Sequence, residues 1–224
     1  MPRRLTPFET GNYYHVFNRG VNRTATFLDN RDHNQALFSM NYYRISKPPV
    51  KFSRLKSLSE TDRTRILANV LNSHDTLVDI LCFVQMPNHF HFLLKQNQEN
   101  GISKFISQFT NSYTRFFNTA HNRTGHLFQG QFKAVEIESE AQLIHVSRYI
   151  HLNPYVSNLV KKEELANYKW SSYPQYLSSN PKLISASLIV GIFKSPQKYA
   201  EFVLNHADYA RELEFIKHLT IDVE

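Results

Sequence analysis

The 224-residue chain is 42% hydrophobic and 20% charged, the composition of one globular domain with an appendage or of two small ones. No run spans a bilayer, no signal-peptide pattern is present, and the single cysteine, Cys82, excludes a disulfide framework and a cysteine-based zinc site, so a cytoplasmic protein without a membrane partner is expected. The net charge of +7 is carried by residues 1–68, with 12 Lys and Arg against 5 Asp and Glu, which points to a polyanionic partner, nucleic acid first, or to a basic solvated surface.

Pro2-Arg3-Arg4 begins a basic arm. Asn12 to Arg19 alternates aromatic and β-branched residues and predicts a strand ending at Gly20. His15 lies in it, and as a lone strand histidine it is assigned a structural role. Arg19 and Arg23 follow the strand end, where they suit phosphates. Asp29-Asn30 caps a predicted helix to about Ile45, with Leu37 and Met40 inward and Pro48-Pro49 as its stop. Residues 47–76 read as a basic, partly helical insertion carrying Arg54, Lys56, Arg63 and Arg65. It either lies on nucleic acid or is a surface embellishment.

Thr76 to Val84 is a second β-rich run, Met86-Pro87-Asn88 a turn, and His89-Phe90-His91-Phe92-Leu93-Leu94 a third strand. Residues i and i+2 of a strand share a face, so His89 and His91 stand side by side while Phe90 points into packing. Two imidazoles make an open metal site that needs a further ligand. Gly101 to about Asn122 is an amphipathic helix whose apolar stripe (Phe105, Phe109, Phe116, Phe117) includes Tyr113. His126 to Ile137 is the fourth predicted strand, bent at Gly130. A capping box at Ser139 opens a helix to about Asn153, with Leu143, Val146 and Ile150 inward and Pro154 as its end. His145, Tyr149 and Asn153 fall at i, i+4 and i+8 on one side of it. His145, Arg148 and His151 are assigned either to DNA or to solvent. The tail loses the basic excess; Trp170 to Tyr173 is expected to pack on the core, with short helices at Ser187–Phe193 and Pro196–Glu214.

The order strand, helix, insertion, strand, strand, helix, strand is α+β and ferredoxin-like: a βαββαβ antiparallel sheet with helices on one face, followed by a helical tail. Residues 1–160 are expected to form the main domain and 161–224 an extension packed on it.

The Met86-Pro87-Asn88-His89-Phe90-His91 run, Arg148-Tyr149-Ile150-His151-Leu152-Asn153-Pro154 and Trp170-Ser171-Ser172-Tyr173 resemble the HUH single-strand transposases with one catalytic tyrosine. Tyr14 to Gly20 and Gly125 to Lys133 add to the likeness, which spans roughly residues 10–177. Among these families the chain is similar to the REP-associated tyrosine transposases of the IS200-like group. The resemblance implies metal-dependent cutting and rejoining of single-stranded DNA at hairpin-forming sequences, by a monomer or homodimer. It implies Tyr149 as nucleophile, a 5′-phosphotyrosine intermediate, and His89, His91 and Asn153 as ligands of Mg2+ or Mn2+. The expected DNA contacts are Arg19, Arg23, Arg54, Lys56, Arg63, Arg65, Lys133 and Arg148. Two alternatives remain open at this point: a hairpin-binding protein that no longer cuts, and a metal phosphoesterase that uses water.

Overall fold

The computed structural model describes residues 7–178 and 183–212, so the Pro2-Arg3-Arg4 arm lies outside the described residues. Four strands, β1 (Tyr13–Arg19), β2 (Val78–Met86), β3 (His89–Gln96) and β4 (Lys133–Ile137), form one antiparallel sheet in the order β2-β3-β1-β4. Helix α1 (Asn30–Tyr43) links β1 to an insertion that holds a 3-10 turn (Phe52–Ser57) and α2 (Glu60–Leu71). Helix α3 (Gly101–Ala120) joins β3 to β4, and α4 (Glu140–Val156) follows β4. This is the ferredoxin-like order expected from the sequence.

Alternation along the strands divides the core in two. Tyr14, Val16, Phe90, Phe92 and Leu94 point to α1 and α3, where Phe105, Phe109, Tyr113 and Phe117 complete one apolar layer. Cys82, Val84, Met86 and Leu93 point the other way, against Leu143, Ile150 and Leu152 of α4. A bulge between Ile80 and Cys82 reverses the alternation of β2, so that Val78 and Ile80 join the first layer while Cys82, Val84 and Met86 join the second. The insertion packs outside α1, where Ile45, Leu55 and Val70 cluster around Tyr42.

The tail covers the second layer with α5 (Tyr173–Tyr176), α6 (Ser187–Phe193) and α7 (Pro196–Leu204). Trp170 stacks on His33 with ring centroids 4.4 Å apart, and Ser172 Oγ accepts from the Phe83 N–H at 2.9 Å, so this stretch does dock on the core. The expected helix from Pro196 breaks at Asn205 and resumes over 207–212; residues 213 and 214 lie outside the described range.

Three local expectations are corrected. Strand β4 begins only at Lys133, because Gly130 takes a left-handed φ of +55° and turns the chain, while Leu127 and Phe128 bury together in the α3 layer instead of alternating. Helix α4 continues through Pro154 to Val156, since burial of Leu152, Asn153 and Tyr155 outweighs the one hydrogen bond that proline forfeits. Asn153 is therefore held within the helix and not frayed. Met86 belongs to β2, leaving a two-residue turn at Pro87-Asn88. That turn is braced from β1: the Gly20 N–H donates to the Asn88 carbonyl at 2.8 Å, and the Thr26 N–H to that of Pro87 at 2.7 Å. Gly20 permits this close fold, as a Cβ there would sit 2.2 Å from the Thr24 carbonyl oxygen.

Candidate active site

The short turn fixes the start of β3, and the strand period then places His89 and His91 on the α4 side with ring centroids 5.0 Å apart and planes at 89°. Phe90 goes to the opposite layer and is fully buried there. Asn88 accepts from His89 Nδ1 through Oδ1 at 2.6 Å, and its Nδ2 donates to the Arg23 carbonyl at 3.2 Å. The second bond fixes which way the amide points, so His89 carries its proton on Nδ1 and its Nε2 holds the lone pair. Helix α4 crosses above. Its Tyr149 ring lies 5.5 Å from His91 with planes at 87°, and it is 50% exposed. One turn on, Asn153 is buried beside His89. The i, i+4 spacing thus puts an exposed phenol and a buried amide over the same two imidazoles.

His15 completes the group. Its Nε2 lies 2.9 Å from His91 Nδ1, and its ring sits 5.8 Å from Tyr149. Assigning it a purely structural role from sequence missed this, since nothing local marks a single strand histidine. Register was the missing signal: Phe17 opposes His91 and His15 opposes Leu93, so His15 stands diagonally beside His91 on the same face.

All three imidazoles are held neutral. Burial lowers His15 to about 4. Burial also lowers His89 to about 4, with the Arg19 charge adding to the fall and the neighbouring Asn153 amide opposing it. His91 drops well below its ordinary value through burial, with smaller contributions from His89, His15 and Arg19. A neutral imidazole is the form that binds a cation. Among the described residues no group of three His, Cys, Asp or Glu side chains forms a metal cluster. His89, His91 and Asn153 would offer instead two imidazoles and one amide oxygen, a set that suits a hard divalent ion completing its shell with water and phosphate.

The expected DNA contacts separate into groups. Arg19 opposes His89 and Lys133 opposes Phe17, so both exposed cations start on the site's face of the sheet. Arg23 is exposed beside the turn. Arg54, Lys56, Arg63 and Arg65 ride on the insertion, beyond α1 and across the sheet from Tyr149, and Arg65 pairs with Asp62 at 2.8 Å. Arg148 turns toward the tail, its guanidinium 4.3 Å from the Phe202 ring centre and 2.7 Å from His145 Nδ1. His151 is fully buried between Tyr199 Oη and Ser172 Oγ, each at 2.7 Å, so both its assignment to DNA and its assignment to solvent are corrected to a structural one. Tyr113 is equally buried and donates to the Thr26 carbonyl at 2.5 Å, in the layer on the other face of the sheet from Tyr149.

Comparison with known proteins bears on the fold and the family. No curated protein matches the chain. Among solved structures, a REP-associated tyrosine transposase bound to a REP hairpin aligns over 81% of this chain and 88% of that one, at 15% identity and a TM-score of 0.52. The tRNA(His) guanylyltransferase of Saccharomyces cerevisiae covers 90% of this chain and 74% of its own at 15% identity, but its TM-score of 0.34 carries no argument. A family model described as "Transposase IS200 like" matches residues 36–153, a span that contains His89, His91, Tyr149 and Asn153 and leaves out β1 with His15. More than half of the sequence falls within that match, and the chain belongs to the IS200-like transposase family.

Proposed function

We propose that the protein cuts and rejoins single-stranded DNA at hairpin-forming sequences through a 5′-phosphotyrosine bond to Tyr149, the chemistry of DNA transposition. The observation that carries this reading is the half-exposed Tyr149 phenol standing over His91, on the same helix as Asn153, which lies beside His89.

His89, His91 and Asn153 would hold Mg2+ or Mn2+, and the ion would polarise the scissile phosphate as a Lewis acid. Tyr149 Oη attacks the phosphorus and its proton passes to solvent. The P–O3′ bond breaks, the 3′ oxygen leaves as a hydroxyl, and the downstream strand stays on the tyrosine by its 5′ phosphate. Attack by another 3′ hydroxyl reverses the step and reseals the strand, so the phosphodiester energy is conserved. Arg19 and Lys133 flank the site and supply charge for the backbone on either side. Arg23, Arg54, Lys56, Arg63 and Arg65 extend the basic surface, and Arg148 supports α4. We take residues 1–160 as the nuclease domain and 161–224 as its extension, in a cytoplasmic protein acting as monomer or homodimer.

The test is to incubate a 3′-labelled hairpin substrate with protein and Mn2+ and resolve the products on a denaturing protein gel. Label that migrates with the protein is expected. Cleavage without an adduct would instead mean a water-using phosphoesterase, and hairpin binding without cleavage a protein that only binds.

A further inference from the structure

A metal-holding imidazole must present a lone pair, and which nitrogen does so is set by the partner of the other. For His89 the partner is Asn88, whose oxygen can only accept. For His91 the partner is His15, whose Nε2 sits 2.9 Å from His91 Nδ1 with the rings 22° from parallel. Two neutral imidazoles share one proton across such a contact, so one donates and the other accepts.

We propose that His15 is a positioning residue for His91: its Nε2 accepts the hydrogen bond from His91 Nδ1–H and leaves His91 Nε2 free for the divalent ion. The inference rests on the metal-dependent function proposed above. Both imidazoles then offer the same nitrogen, each clamped at Nδ1 by a neighbour from outside β3. The free neutral imidazole of histidine favours the opposite tautomer, with the proton on Nε2, which cannot bind a cation through that nitrogen. His91 therefore needs an acceptor at Nδ1, and no other polar contact to that atom is seen among the described residues. The acceptor is itself well fixed. His15 sits in an interior strand of the sheet, packed 5.0 Å from Phe17 on one side and 5.8 Å from Tyr149 on another.

The experiment compares the wild-type full chain with His15→Phe, which keeps a ring and removes the acceptor, and His15→Gln, which restores an acceptor oxygen. Mn2+ affinity is read from the paramagnetic resonance signal of the free ion, and the His91 tautomer from nitrogen NMR of the metal-free protein. Circular dichroism melts establish that each variant is folded. His91 is expected as the Nδ1–H tautomer in the wild type. His15→Phe should move it to Nε2–H and weaken Mn2+ by about 10–100-fold, the usual cost of losing an outer partner of a ligand. His15→Gln should recover most of that loss. An Nε2–H His91 in the wild type overturns the inference. So does a folded His15→Phe that binds Mn2+ like wild type, or a His15→Gln as weak as His15→Phe. His89→Ala separates the two levels: if it abolishes Mn2+ binding while His15→Phe does not, only the role of His15 falls. If neither changes binding, the metal site falls with it.

Discussion

Tyr149→Phe removes one oxygen and leaves the ring that meets His91 and His15 edge-on. Because the side chain is 50% exposed, water can replace what the hydroxyl touches, and a stability change within about 0.5 kcal/mol is expected. For a chain of this size that is roughly 1–2 °C in Tm. Hairpin binding and Mn2+ binding should stay near wild type. Cleavage, in contrast, should fall on the order of 10^3-fold or more, the scale of losing a nucleophile, because the attacking atom itself is gone. Tyr113→Phe gives the opposite pattern. Its hydroxyl is fully buried and donates to the Thr26 carbonyl at 2.5 Å, so its loss orphans a buried acceptor and costs about 1–3 kcal/mol. A Tm lower by several degrees is expected, with cleavage intact. The assay is the 3′-labelled hairpin with Mn2+ on a denaturing protein gel, paired with a thermal melt of each variant. An adduct that persists in Tyr149→Phe and vanishes in a folded Tyr113→Phe would refute the assignment.

His89→Ala and His91→Ala should each abolish Mn2+-dependent cleavage while hairpin binding in chelator stays within a few fold. Asn153→Ala should be milder, because water replaces one neutral oxygen ligand; full activity of His91→Ala would remove the metal assignment. Replacing Arg19 and Lys133 by Gln should flatten the dependence of log affinity on log salt by about 0.7 for each lost phosphate contact with a single strand, and an unchanged slope would place the DNA elsewhere. Charge reversal at Arg54, Lys56, Arg63 and Arg65 should flatten it less per residue, since Arg65 already pairs with Asp62. Acid should destabilise the fold between pH 6.5 and 5. His151, held at about 3 by complete burial, stays neutral in the native state while the unfolded chain takes up a proton. The unfolded state then binds more protons, so stability is full above about 6.5 and falls by up to about 1.4 kcal/mol per pH unit below it. Equal denaturant midpoints at pH 7.5 and 5 would contradict this.

The parts of the site legible in the sequence are those set by one element's period. His89 and His91 follow from a period of two, and Tyr149 over Asn153 from one helical turn. Tyr113 was separable from Tyr149 because the phenylalanines of α3 mark its stripe as interior. What escaped depends on partners distant in the chain. His15 meets His91 across 76 residues, through a register that composition does not reveal. His151 looks like any polar residue between Ile150 and Leu152 until Tyr199 and Ser172 close around it. Arg148 reads as a free cation until Phe202 comes under it. Pro154 reads as a helix end because propensity weighs the lost hydrogen bond and cannot see the burial that offsets it.

These distant partners give α4 two sides with different tasks. His145, Tyr149 and Asn153 form one stripe; Ser147, His151 and Tyr155, two residues out of phase and so about 200° away, form the other. The second stripe is bound throughout to the tail: Tyr199 Oη donates to Ser147 Oγ at 3.0 Å and meets His151 at 2.7 Å, and Tyr155 donates to Asp208 at 2.8 Å. Ser172 ties the same histidine to β2 through the Phe83 N–H. The helix is thus fastened from behind to its own sheet, and Tyr149 stands over the histidines of its own chain. Lending the tyrosine to a second copy would require the tail to travel with α4, or the hydrogen bonds around the buried His151 to be given up without water to replace them. Both costs fall on the stripe of the helix opposite Tyr149, so the tail holds Tyr149 over His89 and His91 of the same chain.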